Sequence, residues 1–153
     1  MRRVRVFACG EPLRGDDAAG PLAVEGLPAD VLATADVRTC RDLSVEDLVG
    51  LPPRVAAVVV DAVTGPPAGT IVERALADLE TVARPWTPVS GHQLPLAATV
   101  ALARALGWSG RGTFLGVGAA SFVLGDGLSE PVAAALPALT AAIEHEVRAL
   151  AGT

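Results

Sequence analysis

The sequence predicts an α/β fold, a three-layer sandwich in which a mainly parallel, twisted sheet of about five strands carries helices on both faces. Short apolar runs alternate with amphipathic segments along the chain, which is the order of elements in such a sheet. The run Val55–Val60 is continuously apolar, as expected of a central strand covered on both faces. A length of 153 residues with 51% hydrophobic residues suits one domain with a substantial core.

The individual elements follow from local patterns. The expected strands are apolar runs bounded by turn residues: Val4–Cys9, Ala35–Cys40, Val55–Val60, Thr70–Ala75 and Thr113–Ala119. The expected helices are amphipathic or alanine-rich segments with a capping or stop residue: Asp17–Leu27, Ser44–Leu51, Leu94–Leu106 and Ser129–Leu150. Pro137 should kink the last helix or split it in two. Because no repeat or low-complexity linker interrupts this pattern, residues 1–153 are expected to form a single domain.

The composition excludes several classes of function. Twelve basic residues, all Arg, against seventeen acidic residues give a net charge of −5. This charge argues against a nucleic acid or an anionic membrane as the partner, since both require a basic face. The chain contains no Lys and no Tyr, which excludes a Schiff-base lysine, a phosphate-loop lysine and a tyrosine acid/base.

The cysteines and the uncharged segments indicate a cytoplasmic location. Cys9 and Cys40 are far apart in sequence and form no C-x-x-C pair, which suits two free thiols in a reducing compartment. The apolar run after the N-terminal arginines is too short for a secretory signal. The longest uncharged stretch, 85–103, contains three prolines and several polar residues, so no membrane span is expected there.

Polar residues with catalytic potential lie where strands of the predicted sheet end. In parallel sheets, ligands bind outside the carboxyl ends of the strands. Asp16 and Asp17 follow the first strand, Asp61 follows Val60, and His92 precedes a helix. Each has an ordinary alternative role: one acidic residue of the first pair is expected to cap the next helix, Asp61 could cap a turn, and His92 could begin a helix.

The first loop, Gly10–Asp17, has the glycine spacing of a phosphate-binding loop but not its chemistry. Asp16 and Asp17 stand where such a loop carries Lys and Ser or Thr. Two carboxylates at a helix N-terminus repel phosphate, so a nucleotide site is not expected here.

If the strand ends lie on one edge of the sheet, Asp17, Asp61 and His92 converge. Two carboxylates about 4 Å apart repel by about 4 kcal/mol at an effective dielectric constant near 20, so either one holds a proton or a cation lies between them. Oxygen and imidazole ligands suit a borderline divalent ion such as nickel or zinc, and three protein ligands leave positions open. We therefore expect a metal site here. His145, in contrast, is expected to be a solvated helix residue.

The segment Gly10–Gly20, with the sequence Gly-Glu-Pro-Leu-Arg-Gly-Asp-Asp-Ala-Ala-Gly, resembles the opening motif G-N-P-L-R-G-D-D-G-x-G of the nickel–iron hydrogenase maturation endopeptidases. Later landmarks occur in the same order as in that family: Asp61 with the turn Gly65–Gly69, His92 with its helix, and Gly125–Val132 at the start of the terminal helix. The resemblance covers almost the whole chain.

The resemblance implies an aspartyl-type peptidase that removes the C-terminal extension of the hydrogenase large-subunit precursor after nickel insertion. It implies that Asp17, Asp61 and His92 are both the catalytic and the nickel-recognising residues. We expect Asp16 to cap the helix and to orient its neighbour. Nickel would arrive with the substrate, so the isolated protein can be free of metal or hold another divalent ion. The expected partner is the precursor, and the expected state between encounters is a monomer.

The chain departs from the family pattern at three places. Glu11 replaces the usual Asn, Ala18 replaces a Gly, and Cys40–Ser44 stands where many members carry a D-G-G-T-like segment thought to contribute to substrate selection. Two other functions stay open: a conventional metallohydrolase with its own zinc or manganese, and a non-catalytic chaperone that senses nickel loading. The first would co-purify with metal at near unit stoichiometry, and the second would bind the precursor without shortening it.

Overall fold

The computed structural model describes residues 3–81 and 96–152. Its strands are β1 (Val4–Cys9), β2 (Ala35–Cys40), β3 (Ala56–Val63), β4 (Ile71–Ala75) and β5 (Gly112–Gly118). Its α-helices are α1 (Ala19–Glu25), α2 (Ala29–Leu32), α3 (Val45–Val49), α4 (Leu96–Ala105) and α5 (Glu130–Ala151), and 3₁₀ helices cover Gly15–Ala18 and Leu76–Thr81. No helix in the described ranges has the length and apolar character needed to cross a membrane.

The described strands form one sheet in the order β2-β1-β3-β5-β4. β1, β2, β3 and β5 are parallel to one another, and β4 pairs antiparallel with β5 at one edge. The apolar strand predicted to be central is β3, which lies in the middle of the sheet between β1 and β5. The predicted mainly parallel sheet of about five strands is confirmed.

Two hydrophobic cores lie on opposite faces of this sheet. Because successive side chains of a strand point to opposite faces, Val58 and Val60 of β3 belong to one core and Ala57 and Val59 to the other. Residues of α1, α2 and α5 complete the first core. Residues of α3, α4 and the 3₁₀ helix Leu76–Thr81 complete the second. Helices therefore cover both faces, as the fold class requires.

Local patterns located most elements well. β1 and β2 have the predicted bounds. In α3, the Ser44 hydroxyl accepts the Asp47 N–H at 3.1 Å and the Asp47 carboxylate accepts the Ser44 N–H at 2.9 Å, which is a capping box. The helix α2 and the 3₁₀ helix Leu76–Thr81 were not predicted, because four and six residues are too few for a periodic pattern to register.

The start of the first helix was predicted wrongly. The helix expected from Asp17 begins at Ala19, after the 3₁₀ helix Gly15–Ala18. In the described part of the chain neither helix has a side chain capping its N-terminus, so the expected cap by Asp16 or Asp17 does not form. Both carboxylates instead bind backbone groups elsewhere.

Pro137 does not divide the terminal helix. α5 runs without interruption from Glu130 to Ala151. Pro137 is exposed, while Val132, Leu139 and Ile143 are fully buried on either side of it in sequence. Because proline has no N–H, the carbonyl group of Ala133, four residues earlier, lacks its helical donor, and this exposed position lets water bind it. Burial of the apolar residues on both sides of Pro137 stabilises the continuous helix.

Candidate active site

The loop after β1 folds back on itself and fixes the carboxylate of Asp17. Gly10 has a φ of 140°, and a Cβ at this position would overlap the carbonyl oxygen of Asp17. Only glycine permits this approach. The N–H of Glu11 then donates to Asp17 Oδ2 at 2.8 Å. The carboxylate of Asp17 is thereby held beside the carboxyl end of β1.

Gly20 brings this region close to the ends of two strands. A Cβ at Gly20 would lie 2.8 Å from the carbonyl oxygen of Cys9 and 3.3 Å from that of Val60. Glycine thus allows α1 to pack against the last residues of β1 and against β3. Asp17 precedes Gly20 by less than one helical turn, so this packing places it at the same edge of the sheet.

Asp61 lies within β3, whereas the expected strand ended at Val60 and left Asp61 outside it. β3 continues to Val63, because its pairing with β5 extends through Asp61 opposite Gly116. The pairing of β3 with β1 ends at Val60, which is the residue before Asp61. Asp61 is therefore the first residue of β3 beyond the β1 pairing, where its half-buried carboxylate lies at the edge that the first loop covers.

The structure brings Asp17 and Asp61 together electrostatically. Burial raises the pKa of Asp61 well above its ordinary value, and the negative charge of Asp17 raises it further. The hydrogen bond from the Ala62 N–H lowers the pKa of Asp61 but does not outweigh these two effects. Burial also raises the pKa of Asp17, although the hydrogen bond from the Glu11 N–H opposes this change. Two carboxylates with raised pKa values favour either a bound proton or a bound cation.

Asp61→Asn is expected to stabilise the metal-free protein at alkaline pH. The folded-state pKa of Asp61 is raised, so the folded protein binds more protons than the unfolded chain, and stability falls as pH rises from about 3.9 through the folded-state pKa. Asparagine does not ionise and can still accept the 2.8 Å bond from the Ala62 N–H. We expect a gain on the order of 1 kcal/mol at pH 8 that disappears near pH 4, measured by urea unfolding in chelator. A difference that does not change with pH would contradict it.

Asp42 is a third carboxylate at this edge, and it was not among the predicted site residues. Its charge raises the pKa of both Asp17 and Asp61. Asp42 follows β2 by two residues, so the strand-end rule that selected Asp61 could have found it. It lies within Cys40–Ser44, the segment that departs from the family pattern.

His92 lies outside the described residues. Among residues 3–81 and 96–152, no group of three or more His, Cys, Asp or Glu side chains is placed to hold a metal ion. The metal set of Asp17, Asp61 and His92 therefore stays a prediction. His145 lies exposed on α5, as expected.

Asp16 joins the first loop to the segment that precedes α5. Its fully buried carboxylate accepts the N–H groups of Ala120, Ser121 and Ser129 at 2.8, 3.1 and 2.7 Å, and the Ser129 hydroxyl at 2.8 Å. Burial by itself raises the pKa of Asp16, but these hydrogen bonds outweigh it and lower the pKa. Asp16 is thus a structural anchor directly before Asp17.

The two thiols lie beside the carboxylates. Cys9 and Cys40 are directly paired residues of β1 and β2, with their sulfur atoms 3.1 Å apart. The hydrogen bond with Cys40 and burial raise the pKa of Cys9 well above its ordinary value, and the charge of Asp61 raises it further. An open groove of about 540 Å³ runs past this point, lined by residues that include Gly10, Glu11, Leu22, Cys40 and Arg41.

Comparisons with known proteins bear on the fold of the chain. No family model matches the chain, and no curated protein sequence is significantly similar to it. Solved structures do match. The hydrogenase maturating endopeptidase HybD from E. coli is 22% identical with a TM-score of 0.76, and the match covers 96% of this chain and 93% of that one. The NiFe hydrogenase maturation protease HycI from Thermococcus kodakarensis KOD1 is 23% identical with a TM-score of 0.68 over the same shares.

A third match is the hydrogenase 2 maturation peptidase from Thaumarchaeota archaeon SCGC_AB-539-E09, which is 25% identical with a TM-score of 0.60. That match covers 94% of this chain and 97% of the other. The resemblance predicted from the motifs is confirmed in the three-dimensional structure, because the chain has the fold of the hydrogenase maturation endopeptidases over nearly its whole length.

Proposed function

We propose that this chain is an endopeptidase that removes the C-terminal extension of a nickel–iron hydrogenase large-subunit precursor after nickel insertion. The fold shared with maturation proteases supports this proposal. The observation that carries it is the position of Asp17 and Asp61 near the carboxyl ends of β1 and β3, where the charge of Asp17 raises the pKa of Asp61. Asp17, Asp61 and His92 are the residues that we assign to nickel recognition and catalysis.

The carboxylate pair provides a physical reason for metal recognition. Desolvation and mutual repulsion make the doubly ionised pair unfavourable. A divalent cation relieves that repulsion and binds oxygen and imidazole ligands well. Nickel carried by a loaded precursor would therefore bind at the carboxylate pair. A precursor without nickel supplies no cation to neutralise the pair and would not be recognised. In this proposal nickel is part of the substrate and reports that insertion is complete.

The same groups can perform the hydrolysis. We assign to one carboxylate of the pair the removal of a proton from the water that attacks the scissile carbonyl, and its return to the leaving amine. The adjacent cation polarises the reacting groups. The hydrogen bond of 2.8 Å from the Glu11 N–H to Asp17 Oδ2 fixes the orientation of Asp17, which proton transfer at a defined atom requires.

Incubation with the nickel-loaded precursor and with its nickel-free form tests the proposal. We expect C-terminal shortening of the loaded form alone, because only that form supplies the cation, and mass spectrometry of the precursor measures it. Equal cleavage of both forms would contradict nickel recognition. A stable complex without a shortened product would indicate a chaperone, and one tightly held zinc or manganese per chain, with cleavage of both forms, would indicate a conventional metallohydrolase.

A further inference from the structure

Cys9 and Cys40 face each other at the point where the first loop leaves the sheet. They are the only two cysteines of the chain, and both are free thiols. The two residues pair directly between the parallel strands β1 and β2, and their sulfur atoms are 3.1 Å apart. Neighbouring strands are about 4.8 Å apart, which is within the Cα separation that a disulfide spans.

The two thiols differ in access. Cys9 is 1% exposed and belongs to the core between the sheet, α3 and α4. Cys40 is half-buried on the edge strand β2 and lines the open groove of about 540 Å³. Because Cys40 is half-buried and Cys9 is fully buried beside it, a small solute reaches the thiol of Cys40 first.

We propose that Cys9 and Cys40 are a redox modification site that hydrogen peroxide converts into an intramolecular disulfide, with Cys40 as the reacting thiol and Cys9 as the resolving thiol. The sulfur atoms need to approach by only about 1 Å to reach bonding distance. Rotation of the two side chains can supply this movement without a change in strand pairing. This proposal stands independently of the proposed peptidase activity.

The reaction balances in two steps. The thiol of Cys40 loses its proton, and its sulfur attacks one peroxide oxygen, so that the O–O bond breaks. The leaving hydroxide takes up that proton to become water, and Cys40 becomes a sulfenic acid. The sulfur of Cys9 then attacks the sulfur of Cys40, the S–OH bond breaks, and the hydroxyl group leaves as water with the Cys9 proton. Two sulfur atoms are oxidised, and one peroxide is reduced to two molecules of water.

The disulfide would lie next to the groups that hold Asp17. Gly10 follows Cys9, and its N–H donates to the carbonyl of Cys40 at 2.9 Å. The next residue, Glu11, supplies the N–H that binds Asp17. A covalent bond between Cys9 and Cys40 would therefore fix the residue directly before the loop to the end of β2.

The test is treatment of the reduced full-length protein with hydrogen peroxide, followed by alkylation in denaturant and intact mass measurement. We expect the wild-type protein to lose both alkylation sites together and to have the mass of a monomer that lacks two hydrogen atoms. Reduction with dithiothreitol should restore both sites. A wild-type protein that keeps both thiols, gains oxygen atoms on one of them, or becomes a covalent dimer would overturn the proposal.

Single variants test the order of events. In Cys9→Ser, peroxide should produce a sulfenic acid on Cys40 that dimedone traps, because no resolving thiol remains. In Cys40→Ser, the matched control on the exposed side, the buried Cys9 should stay unmodified while the protein is folded. We compare the rate of dimedone labelling of the one remaining thiol in each variant. Equal rates in folded Cys40→Ser and in Cys9→Ser would contradict the assigned order. The wild-type mass measurement decides on the disulfide even if Cys9→Ser does not fold.

Discussion

Asp17→Asn and Asp61→Asn should each lower the rate of cleavage of the nickel-loaded precursor by about 100-fold or more. Asparagine keeps the shape of each side chain but removes the negative charge that attracts the cation and the group that takes a proton. The variant of Asp61 is expected to be at least as stable as the wild type at pH 8, so lost activity cannot be explained by unfolding. Initial rates of C-terminal shortening measure the effect.

Matched control variants show whether the loss of cleavage is specific to the site residues or follows from replacing any aspartate or histidine. Asp30 is an exposed residue of α2 whose surface ion pair with Arg148 contributes little to stability, so Asp30→Asn should cleave at the wild-type rate. His145→Ala should do the same because His145 is exposed on α5, whereas His92→Ala should lose cleavage. Full activity in Asp17→Asn or Asp61→Asn, or equal loss in Asp30→Asn, would contradict the assigned roles.

Asp16→Ala should destabilise the protein by about 3–5 kcal/mol at pH 7, since it leaves three backbone N–H groups and the Ser129 hydroxyl without their acceptor. The folded-state pKa of Asp16 is lowered, so its stabilising effect is present above the unfolded-state pKa of about 3.9. The effect is lost as pH falls through the folded-state pKa. Urea unfolding at pH 7 and in acid measures both quantities.

The control for this prediction is Asp126→Ala. Asp126 lies before α5, in the segment to which Asp16 is hydrogen-bonded, and its side chain is exposed. We therefore expect Asp126→Ala to change the free energy of unfolding by less than about 0.5 kcal/mol. A cost of less than about 1 kcal/mol for Asp16→Ala, or a cost that increases in acid, would show that the hydrogen bonds of Asp16 do not anchor the loop.

The sequence predicted the parts of the fold that depend on neighbouring residues. The bounds of β1 and β2 and the cap of α3 by Ser44 follow from local patterns of apolar residues and from one capping residue. The end of β3 did not follow, because Asp61 is polar and the strand continues only through pairing with β5. The start of α1 did not follow either, because the carboxylates of Asp16 and Asp17 bind groups outside the helix.

The candidate site divides in the same way. The sequence by itself determined that acidic residues occur near the carboxyl ends of strands and that glycines bracket the first loop. Only the tertiary structure decided the partners of the carboxylates: the charge of Asp17 acts on Asp61, while Asp16 accepts a hydrogen bond from Ser129, which is 113 residues away in sequence. It also placed Cys9 against Cys40, which is 31 residues away. The physical reason is that periodicity reports the burial of a residue, whereas the partner of a polar group depends on which distant segments the two cores hold together.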